Sequence, residues 1–266
     1  ERVLYCARNE IPMLFAAGAN CGGGAPVTPE GAVVQGTAEC LAGLVLALAA
    51  HEDARFLYGA NTSSMDMRTS VVCYGAPEWF KTVAMYADMG RLYRLGSWGT
   101  AGCSDSFAVD AQAAWEAAEG INLALASGAT IVHDVGYLAH GSIYDPSMLV
   151  LTDEMLRRAR HLYAPVDTSD EALALDVIND VARSNSLYLS HPHTIGNFRR
   201  SLWLPPDFVN RRNMAEFGRA PEFTSSLRQA AAERLSLHNP RSLPRTRRRA
   251  LESCLDSLGI EICEGR

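Results

Sequence analysis

Four stretches of the chain gather side chains able to bind and turn over small molecules. They are Asn20 and Cys21; Asn61, Thr62, Ser63, Met65 and Asp66; Trp98, Ser104, Asp105 and Ser106; and His133, Asp134, Tyr137 and His140. Each follows a short apolar run, the place where parallel β/α proteins carry their chemistry. The aromatic residues Trp98, Phe107, Tyr137 and Tyr144 accompany these loops. Aromatic faces around a dry pocket hold quaternary ammonium groups by cation–π attraction, although core packing is their commoner use. Cys21, Cys73 and Cys103 would need a base such as His133 or His140 to act as nucleophiles, and buried free cysteine is the commoner case. His191-Pro192-His193 would put two imidazoles on one side of a strand. No Cys lies near them and no His-Glu-x-x-His pattern exists, so no metal is expected. The run Gly22-Gly23-Gly24 matches neither dinucleotide nor phosphate-loop spacing and reads as a turn.

The elements that must position these residues alternate. Residues 11–17, 55–60, 94–98 and 130–135 read as strands. Residues 30–50, 77–93, 109–127 and 147–163 read as the helices that follow them, the first with Thr28 at its N-cap and Pro29 at its first position. A further helix is expected over 169–185 and a fifth strand over 187–190. Beyond Pro205-Pro206 the pattern is helical and polar. Strands alternating with helices mean parallel α/β architecture. The spacing fits a (β/α)8 TIM barrel, with a doubly wound sheet as the alternative. Four firm units are half of the eight a closed barrel needs. The expectation is therefore residues 1–198 as the C-terminal half of a barrel, and 199–266 as a helical C-terminal extension.

Composition narrows the function classes. The chain has 266 residues and is 48% hydrophobic, which supports a substantial core rather than disorder. Its net charge is −6, which argues against general nucleic-acid binding. Residues 1–198 carry 11 basic and 22 acidic side chains; residues 199–266 carry 13 basic and 8 acidic. The run Arg245-Thr246-Arg247-Arg248-Arg249 reads as a solvated helix start. Seven Cys without a CxxC pair fit a reducing cytoplasm better than a disulfide-stapled secreted domain. The longest apolar run, near residues 40–50, is about half of the roughly 20 residues a spanning helix needs, so no membrane segment is expected. No signal-peptide pattern opens the chain, and the first residue is not Met, so a fragment of a longer protein is expected.

Together the loops resemble a particular family. The stretches are Gly18-Ala19-Asn20 with Pro26-Val27-Thr28 and Gly31; Tyr58-Gly59 with Ser64-Met65-Asp66-Met67-Arg68-Thr69; Ser104-Asp105-Ser106 with Asp110-Ala111-Gln112-Ala113; and His191-Pro192-His193-Thr194 with Phe198-Arg199. A weaker fifth is Gly136 and Gly141 with Asp153-Glu154-Met155-Leu156. In this order they are similar to the trimethylamine methyltransferase family, in its branch without pyrrolysine that includes glycine betaine methyltransferase. The resemblance implies a (β/α)8 barrel that moves a methyl group from a methylated amine to cobalamin. The cobalamin is carried by a separate corrinoid protein that docks on the barrel mouth. Members are close to twice this length.

Members specific for trimethylamine carry pyrrolysine in the loop corresponding to residues 99–107, and none stands here. The resemblance therefore points to a quaternary amine such as a betaine. A tetraalkylammonium already has a neutral amine as leaving group, so the protein need only position the methyl and exclude water. On this reading Asp105, His133 and Asp66 are the catalytic candidates. Trp98, Phe107 and Tyr137 cage the ammonium, and Asn61, His133 or His140 meets a substrate carboxylate. Asn20, Ser63 and Ser106 face the corrinoid. The Asp residues brace loops with equal weight. Arg199 and Arg200 are more readily structural ion pairs than partner contacts. No nucleic acid and no membrane are expected as partners; a homo-oligomer is one option. The competing readings are an inactive or partial barrel with a binding role, and another barrel enzyme using Cys or His.

Overall fold

The structure is a computed structural model and describes residues 1–216, 218–219 and 221–260. The chain divides into two compact units, Glu1–Ala231 and Ala232–Arg266. In the first, α1 (Arg2–Arg8) leads to β1 (Met13–Leu14), α2 (Pro29–Ala50) and β2 (Phe56–Leu57). A hairpin of β3 (Ser64–Met65) and β4 (Val72–Cys73) precedes α3 (Pro77–Tyr93), β5 (Trp98–Thr100), α4 (Ala111–Ser127) and β6 (Ile131–His133). A second hairpin, β7 (Tyr137–Leu138) with β8 (Ile143–Tyr144), precedes α5 (Pro146–Leu162). Then come α6 (Asp170–Leu173), α7 (Leu175–Ser184) and α8 (Pro192–Ser201). Helix α9 (Phe223–Leu237) runs from the first unit into the second, which also holds α10 (Arg245–Ser257).

The parallel pairs follow chain order. Met13 pairs with Phe56, Tyr58 bridges Ser97, and Trp98 pairs with Ile131. This gives the order β1, β2, β5, β6, all parallel. The helices form one layer in the same order, α1 on α2, α2 on α3, α3 on α4 and α4 on α5. They cover one face of the strands. Met13 and Phe56 pack in a cluster with Val33, Cys40 and Tyr86 of the helices. The Tyr58 hydroxyl bonds Thr37 of α2 at 2.7 Å, and Tyr86 of α3 bonds Thr62 at 2.7 Å. A Cβ on Gly99 would meet Val83 of α3 at 2.5 Å. Alternation then sends Leu14, Leu57, Trp98, Thr100, Ile131 and His133 to the opposite face. Leu14 and Ile131 there are 39% and 42% exposed, although apolar.

Local chemistry explains where the helices start and stop. Pro stands at the first turn of α2, α3 and α5, where its missing N–H costs nothing. Asp110 caps α4 by accepting from the Ala113 amide at 2.9 Å, and Asp145 caps α5 through Ser147. Gly128 and Arg94 end α4 and α3 in the left-handed region. After α8 the chain returns to α5. The Trp203 indole donates to Glu154 at 2.8 Å, and the Arg158 and Arg211 guanidinium groups sit over its ring at 5.5 and 4.9 Å.

Several expectations need correction. The strand expected over 187–190 is a 3-10 turn, Tyr188–Ser190. His191-Pro192-His193 therefore lies on no strand. His191 caps α8, its Nδ1 accepting from the His193 amide at 3.1 Å, so its Nε2–H donates to Asp180 at 3.2 Å. That imidazole is spent on capping, and no cluster of three or more His, Cys, Asp or Glu able to hold a metal occurs among the described residues. The helix expected over 169–185 is two helices, broken where Ala174 takes a left-handed φ of 51°. The third strand begins at Trp98, because Arg94 still closes α3. Finally, α2 is by length and composition the one helix among the described residues apolar enough to cross a membrane. The expectation of no such segment rested on the short run at 40–50. Gln35 and Glu39 interrupt the apolar run but leave the 22-residue helix apolar on average. Its face of Ala32, Val33, Gly36, Cys40, Gly43 and Ala47 is buried in the first unit.

Candidate functional site

The loops after β2, β5 and β6 leave the carboxyl ends of neighbouring parallel strands, so one end of the array collects them. Two Asp–His pairs stand there. In the first, the Asp105 carboxylate accepts from the backbone amides of Tyr74 at 2.6 Å and Gly75 at 3.0 Å. Its Oδ1 also lies 2.9 Å from His140 Nδ1. A carboxylate already accepting two amides accepts the third bond too, so Nδ1 carries the hydrogen and Nε2 is an acceptor. In the second pair, His133 Nδ1 lies 2.7 Å from Asp134, whose other oxygen receives the Thr100 hydroxyl at 3.4 Å. The His133 ring stacks on Trp98 with centroids 5.2 Å apart.

A pocket of about 230 Å³ is lined by Tyr74, Cys103, Asp134, Tyr137 and Gly141, so Asp134 of the second pair and neighbours of the first reach it. That is smaller than the roughly 300–1,000 Å³ of pockets for drug-sized ligands, so it suits a molecule of few heavy atoms.

A buried carboxylate braces the first pair. Glu116 on α4 is 5% exposed and accepts from the Ser104 hydroxyl at 2.5 Å, the Asp105 amide at 2.9 Å and the Gln112 side chain at 2.9 Å. Gly75 packs so close to this carboxylate that a Cβ would collide with it. Tyr74, Gly75 and Glu116 are absent from the sequence reading. Glu116 had one visible signal. It falls on the same helix face as Ala113, Ala117 and Gly120, where a charge is out of place without a polar task.

The structure distributes the other candidates unevenly. Ser63 donates to Asn20 at 2.6 Å, tying the loops after β1 and β2 together. Ser106 donates to Asp110 at 2.9 Å and accepts from Ala108, so its hydroxyl serves the start of α4. Asp66 closes a turn by accepting from Arg68 and from the Arg68 and Thr69 amides, and the Arg68 bonds lead in holding its pKa down to about 2. The Asn61 side-chain oxygen is buried and unpaired among the described residues, an acceptor left for something else. Trp98, Phe107 and Tyr137 do not share one cage. Trp98 is 1% exposed against His133, Phe107 meets His140 edge-on at 5.9 Å, and Tyr137 meets Tyr144 at 5.8 Å.

Cysteine chemistry finds no support in the geometry. Burial raises the pKa of Cys21, Cys73 and Cys103, the reverse of what a thiolate nucleophile needs. The Cys73 and Cys103 thiols donate to the Val71 and Tyr74 carbonyls rather than to a base.

Comparison with known proteins gives this arrangement its kin. The family model described as trimethylamine methyltransferase (MTTB) matches residues 2–256. The chain belongs to the trimethylamine methyltransferase family. Relatives include the trimethylamine methyltransferase MttB of Desulfitobacterium hafniense (strain DSM 10664 / DCB-2), 29% identical over 98% of this chain and 53% of the relative. The enzyme of that name from Methanosarcina barkeri (strain Fusaro / DSM 804) is 29% identical over 69% of this chain and 37% of its own length. The glycine betaine methyltransferase of D. hafniense (strain Y51) is 27% identical over 73% of this chain and 40% of its own. The chain thus spans about half the length, or less, of the curated relatives it matches. For this family member, two of the loops that carried the resemblance bear on the pocket, residues 104–106 through Asp105 and the loop of Gly136 and Gly141, while the His191 segment builds a helix cap.

Proposed function

We propose that the chain supplies four β/α units of a (β/α)8 barrel methyltransferase. It would move a methyl group from a quaternary, betaine-like amine, or another methylated amine, to the cobalt(I) of a corrinoid carried by a partner protein. The observation that carries this reading is the small pocket lined by Asp134, Tyr74 and Tyr137, with two Asp–His pairs on the loops that build it, at the carboxyl ends of the parallel strands. In β/α barrels that end is where substrates are handled. The single layer of helices supports a barrel over a doubly wound sheet, whose helices cover both faces.

The residues present fit a group offered from outside. Met67, Phe107 and Tyr144 stand on the same loops with 68%, 75% and 50% of their surface exposed, and suit contact with a flat, largely apolar macrocycle. When bound, the corrinoid supplies the nucleophile. The chain supplies position. His140 is fixed by Asp105 with Nε2 as an acceptor, so on this reading it helps to shape the loop beside the pocket, and a donor's carboxylate points away from it. His133 is held by Asp134 and Trp98 on the side of the strands away from the helices. Docking of the corrinoid protein over the pocket would exclude water from the transferring methyl.

One observation favours a second reading, a partial barrel with a binding role. β1 and β6 each have one edge without a strand partner among the described residues. On the main reading those edges receive the remaining barrel strands.

The test is donor-resolved. Glycine betaine, carnitine, proline betaine and trimethylamine are each incubated with the chain, joined to any upstream sequence, and a reduced corrinoid protein. Demethylated products are measured by mass spectrometry. Product from a quaternary donor, with trimethylamine inert, is the expected result. No product from any donor with a competent corrinoid protein contradicts the proposal.

A further inference from the structure

We infer that Asp134, with the rings of Tyr137 and Tyr74, forms the ammonium subsite, and that it selects permanently cationic methyl donors over neutral molecules of the same shape. This rests on the amine-donor reading above. The pocket's charged wall is a carboxylate, and its lining includes no Lys or Arg. A carboxylate beside aromatic faces attracts an alkylammonium by charge and by cation–π attraction at once.

The rings are braced from behind. Tyr74 packs on Trp79 with centroids 4.1 Å apart, and Tyr137 leans edge-on against Tyr144. A Cβ on Gly141 would run into the Tyr74 ring, so glycine there lets the loop close on the aromatic wall.

Backbone strain is concentrated here too. Asp134, Ala139 and His140 all take positive φ, at 71°, 49° and 57°. Gly136 and Gly141 do so in the same short loop. Left-handed backbone at non-glycine residues persists only where surrounding structure enforces it. In this loop it sets Asp134 at the pocket wall and aims His140 at Asp105.

The experiment compares choline with 3,3-dimethylbutan-1-ol, its neutral carbon isostere, by calorimetric titration of the full chain. Wild type is expected to bind choline at least about tenfold more tightly, the scale of a desolvated cation–π contact plus a charge. Asp134→Asn keeps shape and tolerates the left-handed backbone. It should weaken choline roughly five- to tenfold and leave the isostere unchanged. Tyr137→Leu should act in the same sense. With methyl transfer from glycine betaine followed on the same samples, Asp134→Asn and Tyr137→Leu should each raise KM by a similar factor, and Asp134→Asn, which also loosens His133, should lower kcat as well. Equal affinity for choline and its isostere in wild type overturns the subsite. So does a KM for glycine betaine that neither substitution moves. Cation preference without any methyl transfer supports the subsite and counts against the methyltransferase reading alone.

Discussion

Asp105 is the residue on which most of the site hangs. Its carboxylate holds the Tyr74 and Gly75 amides and fixes the His140 tautomer. Asp105→Ala leaves two amides without their acceptor, at a cost of about 1–3 kcal/mol for each that stays buried. Thermal unfolding should show the loss, and methyl transfer should fall further than stability accounts for, because His140 is no longer aimed. Asp66 behaves differently. It braces its own turn, and its carboxyl is held down to about 2 by Arg68. A depressed carboxyl stabilises above its unfolded value near 4 and loses that contribution as pH falls through 2. Carbon-detected titration should place the Asp66 midpoint near 2, and the Arg68 and Thr69 amides should exchange faster below it. A midpoint near 4 would show the turn to be open in solution. Residue types near loop starts were legible in the sequence: Asp105, His133, Asp134 and His140 form the two Asp–His pairs of the candidate site. Their partners were not. Tyr74 and Glu116 arrive from other elements, 31 and 11 positions away from Asp105, and nothing in local pattern states that distance.

At the scale of elements, helices read better than strands. α3 starts and stops where Pro77 and Tyr93 predict, because 17 residues show a full helical period and a proline start. The strands are two or three residues long, too short to show alternation, so only their flanks marked them. Both hairpins were unforeseen for the same reason. Close approaches between elements give sharp predictions. Gly75→Ala pushes a methyl into the Glu116 carboxylate and should cost about 1–3 kcal/mol, the usual range for overpacking. Gly196→Ala, on α8 with open space around its Cβ, should be neutral or slightly stabilising through helix propensity. The break between α6 and α7 is strained at Ala174, and Ala174→Gly should raise stability by about 0.5–1 kcal/mol, or a few degrees in Tm. An unchanged or lower Tm would mean that the two helices do not need the left-handed link.

At the scale of the molecule, the proposed half barrel would explain several oddities together. Leu14 and Ile131 are apolar yet exposed, and both stand on strands with one free edge. Open edges invite pairing, and the remaining strands of a barrel would satisfy them. The matched length, about half of the relatives, agrees. Parallel order and helix layering were legible from the alternation of elements. Barrel closure was not, because four parallel strands do not by themselves close a barrel of eight. The most direct measurement is the absorbance of a reduced corrinoid protein mixed with glycine betaine and the chain, joined to any upstream sequence. The account predicts loss of the cobalt(I) spectrum only when donor and enzyme are both present, slowed at limiting donor by Asp134→Asn. A spectrum unchanged by every quaternary donor, with folded enzyme and a corrinoid protein competent in another methyl transfer, would contradict it.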